Sequence, residues 1–134
     1  MEAPTVPAEV VGYTPDPLAA YAYVSTPTAP FDQDALNGLL LSARRFNAAR
    51  EVTGKLVVLE EEGRVVRFAQ WVEGPQRQLA AVVERILADE RHDGLEVRFE
   101  GPVPSRRFPS WEMVYAPAAT AGAFAADAQA LTTG

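Results

Sequence analysis

Apolar positions recur along this chain with two periods, and the switches between them mark the elements. Leu18 to Ser25 is a run rich in alanine, tyrosine and valine, which predicts a strand, and Thr26-Pro27-Thr28-Ala29-Pro30 breaks it. Asp32 is placed to cap the next element. Leu36, Leu40, Ala43 and Asn47 follow at spacings of four, three and four, with Leu39 widening the stripe and Arg44, Arg45 and Arg50 largely off it. That is one face of an amphipathic helix. Val52 to Leu59 and Arg64 to Val72 predict two strands joined at Glu60-Glu61-Glu62-Gly63. Gly74-Pro75 is expected to open a second helix, with Pro75 in its first turn. Leu79, Val82, Val83, Ile86 and Leu87 give its apolar stripe, and Asp89-Glu90-Arg91-His92 its end. Leu95, Val97 and Phe99 alternate with Glu96 and Arg98 as a half-buried strand, and Trp111 to Tyr115 reads as the last strand.

The order strand, helix, strand, strand, helix, strand, strand predicts an α+β sandwich of the ferredoxin-like kind. Its two helices would lie on one face of a mostly antiparallel five-stranded sheet. The handedness of crossovers favours strands one and three side by side in the sheet centre. Around this domain, 18–115, residues 1–17 hold four prolines and read as an irregular arm, and 116–134 as an alanine-rich tail. The fold hosts many functions and licenses none by itself.

Two polar residues stand where apolar ones belong. Val66, Phe68, Gln70 and Val72 share one face of a strand, because strand side chains alternate. Three of the four are apolar, so Gln70 should be buried, and a buried amide without partners costs about 1–3 kcal/mol. Asn47 ends the apolar stripe of the first helix in the same way. Each has an ordinary reading alone: Asn47 as a helix C-terminal residue, Tyr23 and Trp111 as core aromatics, Arg91 and His92 as charges that complement a helix dipole.

Composition narrows the chemistry. The chain of 134 residues suits one core, with 48% hydrophobic and 22% charged residues. A net charge of −6 argues against a nucleic-acid binder. No apolar run approaches the ~20 residues of a membrane helix, and Met1 to Pro17 lacks the pattern of a secretory signal. The expected setting is cytoplasmic. There is no cysteine and one histidine, His92, so a zinc site is not expected. Thr53-Gly54-Lys55 lacks the rest of a phosphate loop, and no Gly-x-Gly-x-x-Gly occurs. Nothing suggests a Ser-His-Asp arrangement, and the chain is expected not to be an enzyme.

Six segments, in order, resemble the BLUF family of FAD-binding blue-light sensors. They are Tyr23-Val24-Ser25; Leu39-Leu40-Leu41-Ser42-Ala43-Arg44-Arg45-Phe46-Asn47; Val52-Thr53-Gly54; Phe68-Ala69-Gln70-Trp71-Val72-Glu73-Gly74, close to the family's Phe-x-Gln-x-Leu-Glu-Gly; Arg85-Ile86 with Asp89-Glu90-Arg91-His92; and Phe108-Pro109-Ser110-Trp111-Glu112-Met113. The resemblance spans roughly Leu18 to Tyr115 and implies FAD as cofactor, its ring between the two helices. It implies Asn47 at the pyrimidine edge, Arg91 at the same edge, Asp89 on the ribityl hydroxyls with His92 beside it, and Arg85 on a phosphate. It further implies that Tyr23 and Gln70 are photoactive. Light would move an electron and a proton from Tyr23 to the flavin and back, leaving the Gln70 amide rotated or tautomerised. Trp111 and Met113 would compete for the space beside Gln70 and carry the change onward. The signal would pass to a downstream signalling protein or through a homo-oligomer, with no nucleic acid, membrane or metal involved.

Some positions depart from the family pattern. Phe46 stands beside Asn47 where a polar residue is usual, Glu51 replaces a glycine in a loop expected to require φ > 0, and Lys55 follows Gly54. Val72 stands for leucine, and the hairpin from Glu60 to Val66 looks long by a residue or two. These leave a second reading open: a BLUF-like domain with weakened or lost flavin binding that acts as a protein-interaction module.

Overall fold

The computed structural model describes residues 16–118. The expectations for residues 1–15 and 119–134 lie outside the described residues. Five strands and two helices follow the expected order: β1 (Leu18–Pro27), α1 (Gln33–Ala49), β2 (Thr53–Glu61), β3 (Arg64–Pro75), α2 (Gln76–Ala88), β4 (His92–Pro102) and β5 (Trp111–Pro117). The sheet order is β4-β1-β3-β2-β5, antiparallel except for the parallel β2–β5 pair, with β1 and β3 adjacent as expected.

Asp32 caps α1, its carboxylate accepting from the Ala35 N–H at 2.8 Å. The helix ends in a Schellman turn: Val52 N–H donates to the Asn47 carbonyl and Glu51 N–H to that of Ala48. This turn needs a left-handed residue after the cap, and Glu51 takes it at φ 58°. The loop does require φ > 0, and a glutamate fills a glycine's place.

Several boundaries differ from expectation. β3 runs on through Gly74-Pro75 because Leu18 to Ala20 continue the β1 ladder against Glu73 to Pro75, so Pro75 is the N-cap of α2 rather than a first-turn residue. The hairpin is tighter than expected. Glu61 pairs with Arg64, and Glu62-Gly63 form a two-residue turn with φ of 52° and 78°, the type I′ pattern that matches strand twist. α2 ends at Asp89, its C-cap, and by His92 the chain already belongs to β4. Leu87 is exposed, about 80° around the helix from Leu79 at the border of the stripe.

Apolar side chains cover both sheet faces. Tyr21, Tyr23, Leu56, Val58, Phe68, Val72 and Trp111 form the core under the helices with Leu36, Leu79 and Val82. Ala20, Ala22, Val24, Val57, Leu59, Ala69, Trp71 and Val103 form a second cluster on the far face, with Phe99 and Phe108 packed against it. Leu95 and Phe99 therefore do not share a face. A bulge at Arg98, where Tyr23 pairs Val97 and Ala22 pairs Phe99, switches β4 from one face to the other.

Candidate functional site

Register brings the misfit residues together. Val97, Tyr23, Gln70, Leu56 and Met113 form one row across all five strands. Gln70 is 6% exposed. Its Nε2 donates to the Tyr23 hydroxyl at 2.6 Å, and its Oε1 accepts from the Trp111 indole N–H at 3.0 Å. Trp111 reaches across β2 because its partner there is Gly54, which puts no side chain between them. Gly54 is required at this point, since a Cβ would overlap the Trp71 carbonyl oxygen. Met113 packs at the edge of the same core, partly buried. Trp111 thus holds the place beside Gln70.

An indole N–H only donates, so the Gln70 atom facing it must be the carbonyl oxygen. The NH2 end then faces Tyr23, whose oxygen must accept. The Tyr23 proton is left over and points elsewhere. Burial is the main reason the Tyr23 hydroxyl is raised well above its ordinary pKa of 10.0; the Gln70 bond opposes this, and Asp89 and Tyr21 add to it.

A cavity of about 70 Å³ opens beside this pair, between α1 and α2. Tyr23, Gln70, Leu56 and Phe68 form its floor, Leu39 and Ile86 its helix side, joined by Phe31 just before α1, and Asp89, Arg91 and His92 its end. Thr28 fixes that end, its N–H donating to the Arg91 carbonyl and its hydroxyl to that of Glu90. Asp89 and Arg91 form a two-pronged pair, Nε to Oδ1 at 2.9 Å and Nη2 to Oδ2 at 2.7 Å. The pair holds the Asp89 carboxyl below its ordinary range and raises the guanidinium. His92 Nε2 donates to the Ile86 carbonyl at 2.8 Å, which leaves Nδ1 to accept from the buried Ser25 hydroxyl at 2.7 Å.

Four of the expected site residues stand outside this cavity: Trp111 and Met113, on the Gln70 side of the sheet edge, and the expected cofactor contacts Asn47 and Arg85. Asn47 lies eight residues beyond Leu39 on α1, ~12 Å along the helix at ~1.5 Å per residue. It is 4% exposed, yet its side-chain amide bonds no described residue. Arg85 bridges the helices instead of facing the cavity: it donates to the Ser42 hydroxyl and carbonyl and lies over the Phe46 ring at 4.4 Å. Arg50 covers the same ring at 3.6 Å, so Phe46 is held by two guanidinium groups.

One residue escaped sequence reasoning. Glu73 is 1% exposed on the far face and accepts from the Trp71 indole and from the Arg107 and Phe108 amides. The near-unbroken apolar run around it was the available signal, because it marks a strand covered on both sides.

The residues present fit a flavin. The cavity walls are apolar side chains that suit the faces of a fused ring. Tyr23 has an unused proton, and Asn47 offers a donor and an acceptor that no described residue takes up. The cavity, about 70 Å³, is smaller than the ~300 Å³ of ordinary ligand sites, with Leu39 and Ile86 on its helix side.

The family described as "BLUF: Sensors of blue-light using FAD" matches residues 18–114. The chain is 31% identical over 100 residues to photoactivated adenylate cyclase subunit beta of Euglena gracilis, covering 74% of this chain and 11% of that protein. It therefore spans about a tenth of the curated relatives it matches. Among solved structures, the BLUF protein BlrB in its dark state is 28% identical, with TM-score 0.64 over 88% of this chain and 86% of BlrB. A bacterial light-regulated adenylyl cyclase shares the fold at TM-score 0.65 and 21% identity, over 75% of this chain and 28% of that one. No described helix is long and apolar enough to cross a membrane.

Proposed function

We propose, from the premise that this chain belongs to the BLUF family of sensors of blue light using FAD, that Tyr23, Gln70 and Trp111 are its photoactive switch. FAD is the cofactor, and when bound it supplies the absorption of blue light and a site that accepts an electron and a proton. Asn47 would hold the polar edge of its ring with Arg91 at the same edge, and Asp89 would meet the ribityl hydroxyls with His92 beside it. Arg85, already bound to Ser42, would reach a phosphate only by giving up that contact.

Tyr23 is the proton donor of this reading, since its hydroxyl proton is not used by Gln70. Gln70 is the two-way element. With Trp111 in place its oxygen must face the indole. Turned about, its NH2 would meet the indole N–H, donor against donor, and its oxygen would accept from Tyr23. The two arrangements are therefore coupled to the seat of Trp111, with Met113 next in line for the vacated space. The hydrogen bond from Trp111 to Gln70 carries this reading, because it ties the amide's orientation to a side chain on the edge strand.

The adenylate cyclase activity named for the relatives belongs to those proteins. In this chain the matched region is a sensor domain, and its output passes to a downstream protein or through contacts between copies. The test is the visible spectrum of the purified protein before and after blue light. A reversible shift to the red is expected. A colourless protein that takes up no added FAD would instead support the interaction-module reading.

A further inference from the structure

The segment between β4 and β5 crosses the far face of the sheet, and it is fastened to β3 and to the start of β2. Glu73 Oε2 accepts from the Arg107 N–H at 2.6 Å and the Phe108 N–H at 2.7 Å. Glu73 Oε1 accepts from the Trp71 indole at 3.0 Å. Arg106 donates to the Thr53 hydroxyl and the Glu51 carbonyl, each at 2.8 Å. The Ser110 carbonyl then accepts from the Gly54 N–H at 3.1 Å, and Trp111 follows.

A carboxylate this buried persists only because its oxygens are satisfied, here by three N–H donors. Two of those donors are main-chain groups three and four residues before Trp111. Glu73 is also three residues from Gln70 on the same strand, pointing to the opposite face. β3 therefore grips one segment twice. Gln70 binds the Trp111 side chain on the helix face, and Glu73 binds the backbone leading to it on the far face.

We propose that Glu73 is the positioning residue that seats Trp111 against Gln70, and that the segment 103–110 moves with the switch. The consequence for signalling rests on the reading of Gln70 and Trp111 given above; the seating itself does not. Because the two grips share one segment, the linkage is reciprocal: loosening the segment unseats Trp111, and unseating Trp111 loosens the segment.

The test uses the full chain with FAD, in the dark, and reads indole N–H resonances by proton–nitrogen NMR. The chain has two tryptophans. Trp71→Phe removes one resonance and leaves both segment bonds of Glu73 intact, so the remaining Trp111 signal should keep its position. Glu73→Leu on that background leaves both segment N–H donors without an acceptor. The Trp111 resonance should then move or split, and amide exchange at Arg107 and Phe108 should rise by roughly tenfold. Glu73→Asp, which keeps both acceptor oxygens, should restore part of the shift. Faster exchange at those amides with an unmoved Trp111 resonance overturns the proposal, because Glu73 is then a clamp with no bearing on Trp111. If Glu73→Leu does not fold, Arg106→Gln loosens the same segment with Glu73 in place and is judged by the same two readouts. A wild type without a light-induced shift would remove the photoreceptor reading and leave the seating result standing.

Discussion

Tyr23 and Gln70 are direct cross-strand partners on β1 and β3, and the glutamine Nε2 donates to the tyrosine hydroxyl across 2.6 Å. Antiparallel pairing puts two opposed side chains on the same face at short range. The contact is therefore built into the sheet rather than into a mobile loop. Tyr23→Phe removes the acceptor and strands the Gln70 NH2, and Gln70→Leu strands the indole N–H and the phenol. Each should cost about 1–3 kcal/mol of stability. Each should also retain flavin and abolish the red shift. A normal light-induced difference spectrum in either variant would refute the assigned role.

Asn47 is 4% exposed, and its amide bonds no described residue. Asn47→Ala should therefore change folding stability little while weakening FAD binding. Losing one or two hydrogen bonds of about 1.4 kcal/mol in total corresponds to roughly tenfold in the dissociation constant. Equilibrium titration with FAD and a denaturation curve separate the two effects. Unchanged affinity would remove Asn47 from the binding set.

Glu51 occupies a left-handed position that a Schellman turn reserves for glycine. Glu51→Gly should stabilise the protein, by under about 1 kcal/mol, because relief of the strained φ is partly offset by the entropy glycine gains in the unfolded chain. The backbone carbonyl that Arg106 binds is kept. A raised denaturant midpoint is the expected outcome, and a lowered one would show that the Glu51 side chain contributes more than its backbone costs.

Asp89 has a folded-state pKa below its ordinary 3.8, first because of the Arg91 side chain. A lowered carboxyl pKa contributes stability that is fully present above the unfolded value and lost as pH falls through the folded one. The wild type should therefore lose stability below about pH 4 more steeply than Asp89→Asn. The pair is partly exposed, so the difference should be small and should shrink with added salt. Denaturant midpoints measured across that pH window, at low and high salt, test both statements.

Much of this molecule was legible in residue order. Leu36, Leu40, Ala43 and Asn47 declared α1, and the alternation around Gln70 declared β3, because each pattern reports which side faces away from water. The element order led to the sheet topology, and the family segments to FAD and blue light. The pattern was less informative wherever a bond between distant residues overrides local preference. Pro75 reads as a helix start until its pairing with Leu18 extends the strand. Asp89 to His92 read as a helix end until Thr28 pulls their backbone toward β1. Phe99 reads as facing with Leu95 until the bulge at Arg98 turns it over.

The sequence by itself determined that a glutamine would be buried, and which residues it had to choose among. Only the tertiary structure decided that Tyr23 and Trp111 take its two ends, that Arg85 is bound to Ser42, and that Glu73 fastens the segment leading to Trp111. The reason is physical. Burial follows from local periodicity, which one strand carries in its own residues. The direction of a hydrogen bond depends on which donor the rest of the fold brings within about 3 Å, and no single strand contains that information.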